Sequence, residues 1–163
     1  MDQIPAPFQT KKLGLFLVIW FAMTTSGLLP LFMIYTFLGF ENLTINWVRL
    51  AEPSALPPLA FSIMAFALSF VLPKIIFQRQ DTTGAHFQVR AERFGGIRLS
   101  ALFTPYVLRL ALTEGALFAG FTIALAAHEG GLFFPFFALT LLRMLASFPS
   151  PRFMDKFEAR LRG

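Results

Sequence analysis

The sequence contains no cysteine, only two histidines, and few charged residues: 14% of its 163 positions are Asp, Glu, Lys or Arg. Without cysteine, disulfides, thiolate metal ligands and cysteine nucleophiles are excluded. His86 and His128 fall in different polar segments, and no HExxH, GxSxG or phosphate-loop motif is present. We therefore expect no enzyme activity, no metal site and no bound cofactor.

Apolar residues are abundant: 56% of the chain is hydrophobic, 22 residues are phenylalanine, and the mean hydropathy is +0.64. Soluble domains are typically about 45–50% apolar, and a domain of this size buries only part of its surface. The net charge of +5 would be compatible with nucleic-acid binding. However, the basic residues flank the apolar runs, as in membrane proteins. We expect the lipid bilayer, and not nucleic acid, as a partner.

Four apolar runs predict an all-α integral membrane protein with a single membrane domain over residues 1–163. A helix needs roughly 20 apolar residues to cross the hydrocarbon. The predicted spans are residues 13–38, 57–77, 102–127 and 132–148. The first is too long for a signal-peptide core, so we expect it to be retained; Ser26, Gly27 and Pro30 near its middle favour close helix packing or a kink.

The distribution of Lys and Arg predicts the orientation of these spans. Two lie in the N-terminal tail, one in the connector after span one, and five in or just before the loop 78–100. The turn after span three has none, and the tail 150–163 has four. Two hairpins with both termini and the loop in the cytoplasm satisfy these counts. We expect a bacterial inner-membrane protein, with Trp47 of the first connector as an interfacial anchor.

The C-terminal tail, residues 150–163, predicts an amphipathic helix. Ser150 followed by Pro151 is typical of an N-cap and first helical position. One helical face would carry Phe153 and Phe157 among other apolar residues, with charges elsewhere. Such a helix lies on a membrane surface, where the two phenylalanines would be anchors, or docks onto a partner.

The third span carries two charged residues inside its apolar run, Arg109 and Glu114. At 1.5 Å per residue, Arg109 lies roughly 10 Å into the membrane, shallow enough to reach the headgroups as an anchor. Glu114 lies roughly 18 Å in, near mid-membrane, where a carboxylate is a functional candidate by default. Thr113 beside it and Arg143 of the fourth span are its candidate polar partners for holding a proton or cation.

Small residues recur along the third span at spacings of three and four, which places them on one helical face. They are Ala111, Gly115, Ala119 and Thr122. A face of this kind allows another helix to approach closely. We expect it to pack against a neighbouring helix of this chain, another subunit or a second copy.

The stretch Ala111-Leu112-Thr113-Glu114, followed by Phe118, Gly120 and Ala124-Leu125, resembles the carboxylate helix of the proteolipid (c) subunits of rotary ATPases. The resemblance covers about fifteen residues, and it implies that Glu114 is the essential carboxylate of a proton-carrying hairpin. In contrast to that family, residues 57–77 contain no glycine, the loop 78–100 is long, and a fourth apolar run follows.

Two functions remain open from the sequence. The first is a small scaffold or accessory subunit of a larger membrane complex that packs through small-residue helix faces. The alternative is a proton- or cation-handling, proteolipid-like subunit that acts through Glu114. The partners would be other transmembrane subunits or further copies of this chain.

Overall fold

The computed structural model describes residues 13–38, 45–80 and 96–162. Across these ranges the structure is helical and contains no strand, which confirms the all-α class. The α-helices are α1 (Gly14–Ser26), α2 (Leu28–Leu38), α3 (Leu56–Arg79), α4 (Ile97–Ala126), α5 (Phe133–Leu145) and α6 (Pro151–Arg162). Short 3₁₀ helices cover Trp47–Ala51 and Gly130–Leu132. The predicted N-terminal tail, most of the predicted loop 78–100 and His86 lie outside the described residues.

Three segments are long and apolar enough to cross a membrane: Gly14–Leu38, which joins α1 and α2, Leu56–Arg79 and Ile97–Ala126. They correspond to the first three predicted spans. The fourth predicted span, 132–148, contains a shorter apolar helix, Phe133–Leu145. Thirteen residues rise about 20 Å, which is less than the roughly 30 Å of bilayer hydrocarbon.

The first apolar segment is interrupted at Gly27, between α1 and α2. Pro30 has no N–H group, so it cannot donate to the carbonyl of Ser26 four residues earlier, and the helical ladder is broken there. Gly27 is buried, and a Cβ at this position would lie 3.1 Å from Cδ2 of Leu117. A glycine here therefore lets the interruption approach α4 closely.

Helix α4 is the centre of the bundle. In its most apolar window 50% of the residues are buried, against 17% for the α1–α2 segment and 22% for α3. Helix α3 contacts α4 through Ser62, Ala65 and Ser69, all of which are buried. Ser62 Oγ donates a hydrogen bond to the carbonyl oxygen of Ala116 at 3.1 Å. The small side chain of Ser62 thus allows direct contact with the α4 backbone.

Helix α5 approaches α4 most closely at Gly120. A Cβ at this position would lie 2.5 Å from both Cβ and Cγ of Phe136. Any larger residue would collide with the base of the phenylalanine side chain, which cannot move without its backbone. Gly120 therefore sets the distance between the two helices.

The connections lie at two ends of the bundle. At one end Arg49, in the 3₁₀ helix, pairs with Glu52 at 2.5 Å and with Glu129, beyond α4, at 3.3 Å. The hydrogen bond and charge of Glu52, and then those of Glu129, raise the pKa of Arg49. His128 ends α4 in the left-handed conformation with φ 53°, and the N–H of Glu129 then donates to the carbonyl of Ala124 at 3.0 Å.

At the other end, the start of α1, the start of α4 and the tail helix α6 share one apolar core. Its buried residues include Phe16, Leu102, Tyr106, Met154 and Phe157. Helix α6 begins as predicted, because Ser150 Oγ accepts a hydrogen bond from the N–H of Phe153 at 3.2 Å. Its apolar face packs on the protein's own core.

Candidate functional site

Glu114 of α4 faces the interruption between α1 and α2. The hydroxyl of Ser26, the last residue of α1, donates a hydrogen bond to Oε1 of Glu114. Both side chains are half-buried, and Ser26 lies at the midpoint of the 25-residue apolar segment. The carboxylate near the middle of α4 is thus joined to the broken helix.

The Ser26 hydroxyl has two acceptors but only one proton. Its Oγ also lies 2.8 Å from the carbonyl oxygen of Met23. If Ser26 donates to Met23, its contact with Glu114 is a hydrogen bond only when the carboxyl group is protonated and donates. The buried Oγ1 of Thr24, two residues earlier on α1, has no hydrogen-bond partner in the part of the chain that the structure describes. The Ser26 hydroxyl can therefore donate to Met23 or to Glu114, but not fully to both.

The two predicted polar partners of Glu114 are engaged elsewhere. Thr113 is buried, and its Oγ1 donates to the carbonyl of Arg109 at 2.8 Å. The guanidinium carbon of Arg143 lies 3.7 Å from the ring centroid of Phe70. Within the described ranges Arg143 forms no ion pair with Glu114. Of the alternatives left open by the sequence, the Glu114–Arg143 pair is thus not formed among the described residues, because the Arg143 side chain turns towards Phe70 of α3.

Arg109 is buried, with only 6% of its surface exposed, and does not reach the headgroups as expected. Its Nε donates to Ser147 Oγ at 3.1 Å. Its guanidinium carbon lies 5.4 Å from the ring centroid of Phe153 and 5.5 Å from that of Phe157. The two predicted anchors of α6 thus face Arg109; Phe157 is buried and Phe153 is half-buried, and their role at a membrane surface stays a prediction. Trp47 does remain exposed.

Helix α6 is held to the start of α4 by an ion-pair cluster that the sequence pattern does not predict. Glu158 is almost fully buried and pairs with Arg98 and with Arg162, the latter at 2.6 Å. Arg98 also contacts Asp155 at 2.9 Å. The contact between Arg98 and the tail carboxylates depends on the docking of α6 beside α4, since no local spacing connects residues about sixty positions apart.

The residues of the predicted small-residue face of α4 differ in their burial. Ala119 is buried, whereas Ala111 and Thr122 are exposed and Gly115 is half-buried. The buried contacts with α3 and α5 use Ala116 and Gly120 instead, as described above. The side of α4 that carries Ala111 and Thr122 is consequently left uncovered by residues 13–38, 45–80 and 96–162.

The described residues hold no group of three or more His, Cys, Asp or Glu side chains that could bind a metal ion. The chemistry that the geometry does provide is a half-buried carboxylate hydrogen-bonded to a hydroxyl at a helix interruption.

Comparison with protein-family models, curated proteins and solved structures finds no match. The assignment of a function therefore rests on the geometry of this chain. The likeness of α4 to a proteolipid carboxylate helix remains an expectation from its sequence.

Proposed function

We propose that this protein is a small membrane-embedded scaffold or accessory subunit that packs against transmembrane helices of other proteins through α4. The observation that carries the proposal is the uncovered side of α4. Although α4 is the central helix of the bundle, Ala111 and Thr122 remain exposed on it. Small residues on an exposed transmembrane face favour close approach of another helix.

The polar groups within the bundle support a structural role. Arg109 is bonded to Ser147 of the segment after α5, and Glu114 is bonded to Ser26 of α1. Ser62 of α3 is bonded to the α4 backbone. Each of these interactions joins two different segments, as expected of a protein whose polar side chains hold helices together.

We further propose that the chain crosses the bilayer four times, with α5 as a short fourth crossing in a bacterial inner membrane. The end that carries α6 would face the cytoplasm, and the end with the Arg49–Glu129 pair would face the opposite side. The excess of Lys and Arg around α6 and the loop 78–100 supports this orientation. Cysteines introduced at exposed Val48 and Arg152 should be labelled from opposite sides by an impermeant thiol reagent.

The packing proposal is tested by bulky substitutions on the uncovered side of α4. Ala111→Leu and Thr122→Leu should abolish cross-linking to partner subunits in native membranes, since a larger side chain keeps the partner helix away. Ala60→Leu on the exposed side of α3 is the matched control and should retain the cross-links. If Ala111→Leu and Thr122→Leu leave every cross-link unchanged, α4 is not a docking face. Cross-links only between copies of this chain would identify a homo-oligomer.

A second function, proton or cation handling through Glu114, is supported by the Ser26–Glu114 contact at the α1–α2 interruption. Broken helices with a nearby carboxylate are used for ion binding within membranes. In reconstituted vesicles Glu114→Gln should then abolish proton flux while the fold is kept, because Gln preserves shape and hydrogen bonding but cannot release a proton. Wild-type vesicles that show no flux above empty vesicles, or an unaltered flux in Glu114→Gln, would reject this function.

A further inference from the structure

An apolar groove runs between α3, α4 and α5 on the outside of the bundle. Its volume is about 270 Å³. The residues that line it are Ser62, Ile63, Phe66, Ala67, Ala116, Phe136, Leu139 and Thr140. The groove is thus lined almost entirely by hydrocarbon and lies along three apolar helices.

The guanidinium of Arg143 lies at one end of this groove. Phe66 lines the groove, and its ring centroid is 5.9 Å from the guanidinium carbon. Thr140 also lines the groove, and Arg143 follows it by three residues on α5, which is about one helical turn. Phe70, one turn after Phe66 on α3, stacks against the guanidinium at 3.7 Å. An extended apolar chain in the groove would therefore end at a positive charge.

Arg143 is half-buried, and two of its nitrogens have no protein partner. Nε and Nη2 are shielded from solvent and have no hydrogen bond among the described residues, so a ligand reaches them only when the side chains that cover them move aside. These two nitrogens form one edge of the guanidinium, the edge that can hold two oxygens of a phosphate. Buried donors in native proteins are rarely left unpaired, so an unpaired edge indicates a missing partner or ligand.

The surroundings of Arg143 add positive charge without a compensating acid. Arg109 and Arg160 repel it electrostatically. Neither Arg109 nor Arg143 forms an ion pair with a carboxylate within the described ranges. Three arginines around one position leave an excess of positive charge that an anion would relieve.

We propose that this site binds one anionic phospholipid, with an acyl chain in the groove and the headgroup phosphate on Arg143. The groove selects an apolar chain, and the unpaired guanidinium edge selects a phosphate. Basic pockets between transmembrane helices on the cytoplasmic side are suited to acidic headgroups. A free phosphate ion would use the guanidinium but leave the groove without a role, which is why a lipid is the better occupant.

The proposal can be tested by native mass spectrometry of the full chain in detergent with equal amounts of phosphatidylglycerol and phosphatidylcholine. We expect the wild type to bind phosphatidylglycerol at least tenfold more tightly. Arg143→Gln should remove this preference, whereas Arg152→Gln, which removes an exposed arginine on α6, should keep it. Equal binding of the two lipids by the wild type, or equal loss in both arginine variants, would overturn the proposal.

The groove is tested separately, because Arg143 also packs on Phe70 and its replacement can disturb folding. Ala67→Phe should fill the groove and reduce phosphatidylglycerol binding about tenfold with Arg143 in place. Ala60→Phe, on the same helix outside the groove, should bind as the wild type does. Unchanged binding in Ala67→Phe would place the lipid elsewhere and overturn the proposal. Displacement of phosphatidylglycerol by millimolar glycerol phosphate would overturn the lipid assignment in favour of a soluble phosphate.

Discussion

Arg98 and Arg109 lie three helical turns apart on α4 and are both covered by α6, yet of the two only Arg98 forms ion pairs with carboxylates of the described residues. Arg98 pairs with Glu158 and with Asp155. The guanidinium of Arg109 lies about equally far from the rings of Phe153 and Phe157 of α6, at 5.4 and 5.5 Å, and its Nε donates to the hydroxyl of Ser147. The same helix therefore contacts one arginine through charge and the other through aromatic rings, and the two should respond oppositely to loss of charge.

Replacement of Arg98 with Met should loosen α6. The change leaves the buried carboxylate of Glu158 with Arg162 as its remaining partner. We expect the free energy of unfolding to fall by about 1–3 kcal/mol, less than for a fully enclosed pair because Arg98 is partly exposed. Arg79→Met, at the exposed end of α3, is the control. Trypsin should cleave α6 faster in Arg98→Met than in the wild type, and equal cleavage rates would contradict the role of this cluster.

Replacement of Arg109 with Met should leave the protein as stable as the wild type or make it more stable. Burial of a charge costs several kcal/mol, whereas stacking on an aromatic ring recovers about 0.5–2 kcal/mol. Met fills a similar volume and packs well against Phe153 and Phe157. The thermal unfolding midpoint in detergent measures this. A decrease as large as that of Arg98→Met would show that the charge of Arg109 stabilises the fold.

The two arginines also show how far the sequence predicts this structure. The spacing of apolar residues and the composition correctly predict helices, three long apolar segments and the start of α6 at Ser150. Each of these features depends on residues that are neighbours in the sequence. The burial of Arg109 depends on where α6 docks, about forty residues further along the chain. A local pattern contains no information about that contact, so Arg109 was expected at the headgroups.

The close contact between Gly120 and Phe136 predicts a sharp difference between two glycines of α4. Gly120→Ala should lower the free energy of unfolding by about 1–3 kcal/mol, because the added methyl overlaps the base of the Phe136 side chain. Gly115→Ala should be neutral or slightly stabilising. A Cβ there would lie 3.8 Å from Phe61 Cε1, and Ala favours a helix over Gly by about 1 kcal/mol. Chemical unfolding in mixed micelles compares the two; equal effects would contradict the packing at Gly120.

The same contrast explains why the packing face of α4 was only partly predicted. Spacings of three and four identify a row of small residues, but several such rows run along a helix rich in Ala and Gly. The face that packs on α5 contains Gly120. In the sequence, Gly120 belongs to the stretch that resembles a proteolipid carboxylate helix and not to the predicted row of small residues. Which of these rows packs against α5 depends on the large side chains of α5, in particular Phe136. This choice is therefore determined by tertiary packing and not by the local sequence.

The link between Ser26 and Glu114 predicts a measurable energetic coupling between α1 and α4. Hydrogen bonds between membrane helices contribute on average about 0.6 kcal/mol, and up to about 1.7 kcal/mol. A double-mutant cycle with Ser26→Ala and Glu114→Ala, measured by unfolding in mixed micelles, should give a coupling in this range. Ser54→Ala, in the exposed segment before α3, replaces Ser26→Ala in the control cycle and should give no coupling to Glu114→Ala. Additive effects of Ser26→Ala and Glu114→Ala would mean that the two side chains do not stabilise each other, and both the structural and the proton-handling roles of this contact would then fail.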